Sequence, residues 1–322
     1  MDKNAAQNGA LPEGGLKAPS ALQTILGALH MAFFGAHQVT KAELPEKFGA
    51  YSLVKKIKKE DDIQNIAIGI YESAGKKYII KRWEGTTKDL NYYSLRNECA
   101  VNSLMSSVGT KSGAQDGIYF PAVEGYYADT KSLTVAFEFI DGTLLSAHPL
   151  EFQAKTLTAV MQHISKLSTL LSHEQKAMLG RRSLGFYLLL LPLISILLSV
   201  RSPKNAKVIW SAFGASVSKI SKLATSPLTL AHRDLTPSNI MVTDKGICVL
   251  DAENMLLTLS GYDYAFISVT PGMKELASRL PGPSSANAAF LKNYIVLHHI
   301  LGSGEFLVVN EEYLSVLRDL HQ

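Results

Sequence analysis

The stretch from Leu230 to Glu253, LAHRDLTPSNIMVTDKGICVLDAE, constrains the fold of this chain more than any other. Two short apolar runs, Ile240 to Val242 and Ile247 to Leu250, flank a polar turn at Asp244-Lys245-Gly246. That pattern predicts a β-hairpin. Asn239 precedes the hairpin and Asp251 follows it, so pairing of the two runs brings both to one end. Asp234 lies five residues before Asn239. Three oxygen-bearing side chains therefore converge: a carboxylate able to orient or deprotonate a hydroxyl, and an amide and a carboxylate able to hold Mg²⁺ against nucleotide phosphates as hard ligands.

His232-Arg233-Asp234-Leu235 followed by Asn239 matches the H-R-D-L-x-x-x-N pattern. On these residues the sequence resembles the protein-kinase-like phosphotransferases. Asp251 is followed by Ala252-Glu253, not Phe-Gly. This looks more like the aminoglycoside phosphotransferase and choline kinase branch, whose metal aspartate is commonly followed by an aromatic residue and then an acid. The resemblance implies an α+β fold of two lobes, an antiparallel N-terminal sheet plus helix and a mainly helical C-terminal lobe. It also implies ATP as donor, Asp234 as the group that orients or deprotonates the acceptor, Asn239 and Asp251 as Mg²⁺ ligands, and His232 and Arg233 as supports of the loop. Arg233 departs from the small-molecule branch, which more often has a small residue there, and keeps a protein acceptor open. A hairpin with ordinary polar turn residues is the plain alternative.

Upstream, Tyr51 to Val54, Ile66 to Tyr71 and Tyr78 to Ile80 read as strands, with a turn at Ser73 to Lys76. The run YIIKRW ends a strand at Lys81, and Leu90 to Val108 reads as a helix carrying Glu98, 17 residues on. The resemblance implies that Lys81 contacts the nucleotide phosphates and that Glu98 holds it, with Glu84 as competitor for that role. A solvated lysine and a surface glutamate are the alternative. No G-x-G-x-x-G loop is present, and only Gly69 stands between the ends of the first two strands. Leu133 to Ile140 reads as a strand that resembles the one leading into an interlobe hinge. Backbone groups of Glu138, Phe139 and Ile140 would there meet an adenine edge, although an ordinary buried strand has the same letters.

At 322 residues the chain has room for two lobes. A net charge of +4 gives no nucleic-acid footprint. Cys99 and Cys248 sit in apolar runs without CxxC spacing, which fits free thiols of a reducing compartment and a cytoplasmic location. Residues 1–19 read as a disordered tail without a secretory signal. Residues 20–48 read as a helical extension capped by Ser20, with Leu22, Ile25, Leu26, Leu29, Phe33 and Phe34 at helical spacing. The nucleotide-binding lobe then runs over 49–140 and the catalytic lobe over 141–322.

Residues 184–200, LGFYLLLLPLISILLSV, carry no charge and as a helix measure about 25 Å, just short of a bilayer core. Arg181-Arg182 precede them, and Arg201, Lys204 and Lys207 follow. A single crossing would separate Lys81 from Asp234 and forbid a shared site. What remains is a hairpin or re-entrant segment broken near Pro192, an anchor on the cytoplasmic face of a membrane, or a buried helix pair. Membrane contact would favour a lipid or lipid-linked acceptor over a soluble hydroxyl-bearing metabolite.

Beyond it, Lys204 to Ala224, Asn287 to Leu301 and Glu311 to Leu320 read as helices, Leu228 to Ala231 as a strand and Pro281 to Ser285 as a loop. Gly261 to Ala265 resembles the branch's Asp-Leu-Ala segment, in which Asp263 would brace the catalytic loop; a turn aspartate is the alternative. His298 and His299 read as packing or surface residues. The pattern as a whole favours a small-molecule kinase. A Ser/Thr protein kinase and a catalytically silent nucleotide-binding scaffold are the alternatives, and no Ala-Pro-Glu closes the stretch from Asp251 to Pro271.

Overall fold

The computed structural model describes residues 42–57, 65–85, 90–111, 117–223, 227–282, 286–301 and 310–321. The tail and the greater part of the 20–48 extension lie outside them. Its last residues are not helical: β1 (Lys47–Phe48) turns through Gly49, at a φ of 56°, to pair with β2 (Tyr51–Lys56).

Short β-type runs separated by turns produce the first sheet. β3 (Ile66–Ser73) and β4 (Lys76–Glu84) form a hairpin whose turn residues Ala74 and Gly75 both have positive φ, the geometry that matches strand twist. Helix α1 (Leu90–Lys111) and β5 (Ile118–Tyr119) follow, then β6 (Val123–Ala128) and β7 (Ser132–Glu138). The sheet runs β1-β2-β3-β4-β7-β6, antiparallel throughout. Gly69 lies inside β3 rather than in a phosphate loop. A Cβ there would stand 2.8 Å from Leu44 Cδ1, so glycine lets the 42–48 segment cross the sheet closely. On the opposite face α1 packs through Tyr92, Leu95 and Cys99 onto Trp83, Leu133, Val135 and Phe137.

β8 (Thr143–Leu144) opens the second lobe, followed by α2 (Leu150–Leu170), α3 (His173–Met178), α4 (Leu184–Arg201), α5 (Ala206–Val217) and α6 (Ile220–Leu223). The helix expected over 204–224 is thus divided: Pro203 starts a 3-10 turn, and α5 closes where Ser218 N donates to Gly214 O. Then come β9 (Leu228–Ala231), β10 (Ile240–Thr243), β11 (Gly246–Val249) and β12 (Leu256–Leu259). Helices α7 (Tyr262–Val269), α8 (Lys274–Ser278), α9 (Ala286–Leu301) and α10 (Glu311–Leu320) complete the described chain. β10 and β11 form the expected hairpin within a four-stranded sheet, and β9 pairs with β12.

Helix α4 runs unbroken through Pro192, which rules out a hairpin or re-entrant break there. Phe186, Tyr187, Leu190, Leu191, Ile194 and Leu198 enter a core shared with α9 and α10, so the helix neither leaves the lobe nor crosses away from it. Its outward side keeps Leu189, Ile196 and Val200 exposed at 60%, 51% and 74%, with Trp210 of α5 alongside at 43%.

Candidate active site

The period-2 alternation of β4 places Ile79, Lys81 and Trp83 on the face covered by α1, and Ile80 on the other. Helical spacing aligns Leu95, Glu98, Cys99 and Asn102 along the buried side of α1. Lys81 Nζ consequently donates to Glu98 Oε1 at 2.8 Å and to Oε2 at 3.0 Å. It also donates to Asp251 Oδ1 at 2.5 Å, which joins the two lobes. Burial works to lower the Lys81 pKa, but the two carboxylates outweigh it and hold the ammonium charged well above its ordinary range. Glu84, the competitor, instead pairs with Arg82 and accepts from Glu43 N.

Asp251 adopts left-handed backbone at a φ of 52° directly after β11. The pairing of Ile240 with Val249 continues as Leu250 N donating to Asn239 O at 2.8 Å, which sets Asn239 and Asp251 at the same end of the hairpin. Asn239 Nδ2 donates to the Asp234 backbone oxygen at 2.8 Å and to its Oδ2 at 3.1 Å. Burial raises the Asp234 carboxyl above the usual range, against the opposing pull of His232 and the Asn239 amide.

The loop is braced from behind. Asp263, at the start of α7 and buried, accepts from His232 N at 3.0 Å and from Arg233 N at 2.7 Å. His232 is fully buried, and its Nε2 lies 2.8 Å from Leu250 O. Arg233 takes a positive φ of 71°, which turns the chain so that its own N–H and that of His232 reach one carboxylate.

At the hinge, Glu138 N donates to Ala122 O at 2.9 Å, and the side chain reaches Lys245 at 3.3 Å. The Glu138 amide is thus committed within the protein, which leaves its carbonyl and the backbone groups of Phe139 and Ile140 as the groups a ligand could meet here. Phe139 lies under Lys77, 5.7 Å from the ring centroid, and Ile140 is half-buried.

Two contacts had no signal in the sequence. Asn97 of α1 donates to Glu253 O at 2.8 Å and to Met255 O at 3.1 Å, docking the N-lobe helix on the segment after Asp251. Glu253 has its carboxyl pushed up to about 7 by burial and by the nearby Glu98 charge.

Asn239 and Asp251 suit Mg²⁺. The Asn239 NH₂ is held by Asp234, which leaves the amide oxygen for a cation, and the Asp251 side chain is half exposed. Among the described residues no cluster of three or more His, Cys, Asp or Glu could hold a metal alone. A magnesium ion that takes most of its ligands from phosphates and water does not require one.

The crystal structure of spectinomycin phosphotransferase in complex with ADP and spectinomycin superposes with a TM-score of 0.55 at 16% identity, covering 92% of this chain and 93% of that one. An aminoglycoside phosphotransferase from Alicyclobacillus acidocaldarius gives 0.50 at 12%, over 88% and 92%. The streptomycin–ATP ternary complex of another gives 0.51 at 11%, over 92% and 95%. This chain has the aminoglycoside phosphotransferase fold. No protein-family model and no curated protein sequence matches it. Within the aminoglycoside phosphotransferase fold as built here, Asp251 leads through one 3-10 turn and β12 straight into α7 at Tyr262. That path leaves no length for a long activation segment of the protein-kinase type.

Proposed function

We propose that this protein is an ATP- and Mg²⁺-dependent phosphotransferase acting on a hydroxyl of a small or membrane-proximal molecule. The observation that carries the reading is Lys81, held by Glu98 and reaching Asp251 across the lobes, beside an Asp234 fixed by Asn239. The acceptor oxygen bonds to the γ-phosphorus as the bond to the ADP oxygen breaks, and the hydroxyl proton passes to Asp234, whose raised pKa suits it as a base. Lys81 steadies the phosphates, and Asn239 and Asp251 would hold Mg²⁺, which neutralises charge on the transferring group. The short path from Asp251 to α7 disfavours a Ser/Thr protein kinase. A full set of chemical side chains disfavours a silent scaffold. ATP consumption with Mg²⁺ across a panel of hydroxyl-bearing metabolites and lipids, in wild type and Asp234→Asn, tests the reading; identical background rates in both would sink it.

The same proposal seats the enzyme on an anionic, cytoplasmic membrane surface. Between Glu174 and Asp234 the sequence has nine Lys and Arg and no Asp or Glu. The exposed Leu189, Ile196, Val200 and Trp210 supply an apolar face flanked by the exposed Lys204 and Lys207. Co-sedimentation with vesicles of phosphatidylcholine with and without phosphatidylserine tests this. Equal recovery in the supernatant with both would remove the membrane from the proposal.

A further inference from the structure

We infer that the acceptor site selects molecules carrying an anionic group, a phosphate or a carboxylate, which Arg182 and Arg233 bind. The inference rests on the phosphotransferase reading and narrows its substrate class.

Arg182 stands just before α4. Its backbone N donates to Leu257 O at 2.9 Å, and its guanidinium lies 4.8 Å from the Phe186 ring centroid. Arg233 stands beside Asp234; its guanidinium is 5.2 Å from the Tyr262 ring centroid and its Nη1 donates to Asn254 O at 3.3 Å. Leu257 pairs with Leu230 across β12 and β9, so the two arginines flank one strand pair. Burial, and then the nearby Arg233 charge, pull the Arg182 pKa down, whereas the neighbouring tyrosines hold that of Arg233 up.

Neither guanidinium has a carboxylate within 4.0 Å among the described residues. The carboxylates nearest to Arg233 are already engaged, Asp263 by two backbone amides and Asp234 by Asn239. The groups around the pair are the hydroxyls of Tyr187, Tyr262 and Tyr294, of which Tyr262 approaches Arg233 and Tyr294 approaches Arg182, together with the buried His298 ring, which feels both arginine charges. Burial holds Tyr187 and Tyr294 above the usual phenol range, so at neutral pH they bring no negative charge. Two buried polar atoms here, Arg233 Nε and the Tyr294 hydroxyl, lack a hydrogen-bond partner of good geometry among the described residues. Both can donate.

Two like charges in a half-buried site with unused donors are costly for a protein to retain without an anion. A phosphate or carboxylate supplies the missing charge and the acceptor oxygens, and the planar guanidinium fork matches both. Since Arg233 adjoins Asp234, an acceptor whose hydroxyl meets Asp234 can extend its anionic group toward the pair. The same charges repel polycationic amino-sugars.

The decisive measurement is thermal stabilisation by inorganic phosphate, in the presence of Mg²⁺ and ADP, for wild type, Arg182→Met and Arg182→Lys. Phosphate raises the wild-type Tm by several degrees, the rise disappears in Arg182→Met and returns in part in Arg182→Lys. Without phosphate, Arg182→Met melts no lower than wild type, because a repelling charge has gone. ATP consumption by wild type is then compared for glycerol and glycerol 3-phosphate, for glucose and glucose 6-phosphate, and for spectinomycin. The phosphorylated member of each pair is used with at least a 10-fold lower KM, and Arg182→Met erases that preference. A phosphate effect that survives Arg182→Met, no effect in wild type, or equal use of neutral or cationic acceptors overturns the inference. Turnover of neutral acceptors alone would leave the kinase reading standing without the anion site. Phosphate binding with no turnover of any acceptor would do the reverse.

Discussion

Lys81 and Asp251, 170 residues apart in sequence, meet at 2.5 Å between the two lobes, while Lys81 also holds Glu98 inside the N-lobe. One ammonium is thus shared as counter-ion by two carboxylates from separate parts of the chain. Replacing it with methionine strands the buried Glu98 without a cation. Lys81→Met is expected to abolish ATP turnover and to lower stability by about 3 kcal/mol. The double variant Lys81→Met/Glu98→Gln recovers the stability and not the activity. Urea denaturation and ATP consumption on the same preparations read both effects.

Asp234 and Asp251 are both carboxylates, yet their substitutions are expected to separate. Asp234→Asn keeps nucleotide affinity and lowers kcat by roughly 10²- to 10⁴-fold, the usual contribution of a positioned base. Asp251→Asn removes a carboxylate proposed to hold magnesium, so the magnesium concentration needed for half-maximal rate is expected to rise and Mg²⁺-dependent ADP binding to weaken. Magnesium titrations of rate and of ADP affinity distinguish the two.

Asp263 does its work at a distance from the reacting atoms. Its carboxylate accepts the His232 and Arg233 amides, and burying those amides without it costs about 2–4 kcal/mol. Asp263→Ala is expected to lower Tm and kcat together while leaving the KM for ATP nearly unchanged. Asp263→Asn, which keeps one acceptor oxygen, falls between the two.

Acid should unfold this protein early. His298 stacks on Tyr294 and His299 on Tyr313; burial, with the neighbouring cationic groups, pushes their pKa values down to about 3 and about 4. In the unfolded chain both titrate near 6.5. The folded state therefore excludes protons that the unfolded state binds. The stability these neutral rings contribute is complete above about pH 6.5 and is lost as pH falls toward their folded values, at up to about 1.4 kcal/mol per pH unit for each. Urea midpoints between pH 7 and pH 5 in wild type and His298→Phe measure the slope, which becomes shallower in the variant.

The chemistry was legible where it is encoded over short range. A two-run hairpin forces Asn239 and Asp251 to one end whatever the rest of the chain does, and strand β9 begins and ends where its letters do. Glu98 could be assigned to Lys81 only because a resemblance supplied the pairing, since the residues alone favoured a solvated lysine and a surface glutamate and left Glu84 as a competitor. Backbone readout at Glu138 left no trace in residue type, and its amide turned out to be engaged. Helix α4 was ambiguous for a physical reason: an all-round apolar helix has the same sequence in lipid and in a core, and here one side lies in the core and the other does not. Arg182 read only as a basic flank of the apolar segment, because nothing in a one-dimensional pattern relates it to Arg233.

The carboxylate of Asp263 has a consequence for motion. Loop amides ordinarily exchange their hydrogens with solvent through small local openings, whereas the amides of His232 and Arg233 are latched to a helix rooted in the C-lobe core. Their deuterium uptake should match that of core strands, with protection factors set by global unfolding. The segment that carries Asp234 would then be kinetically one of the stillest parts of the molecule, and any movement between the lobes would have to come from the N-lobe side.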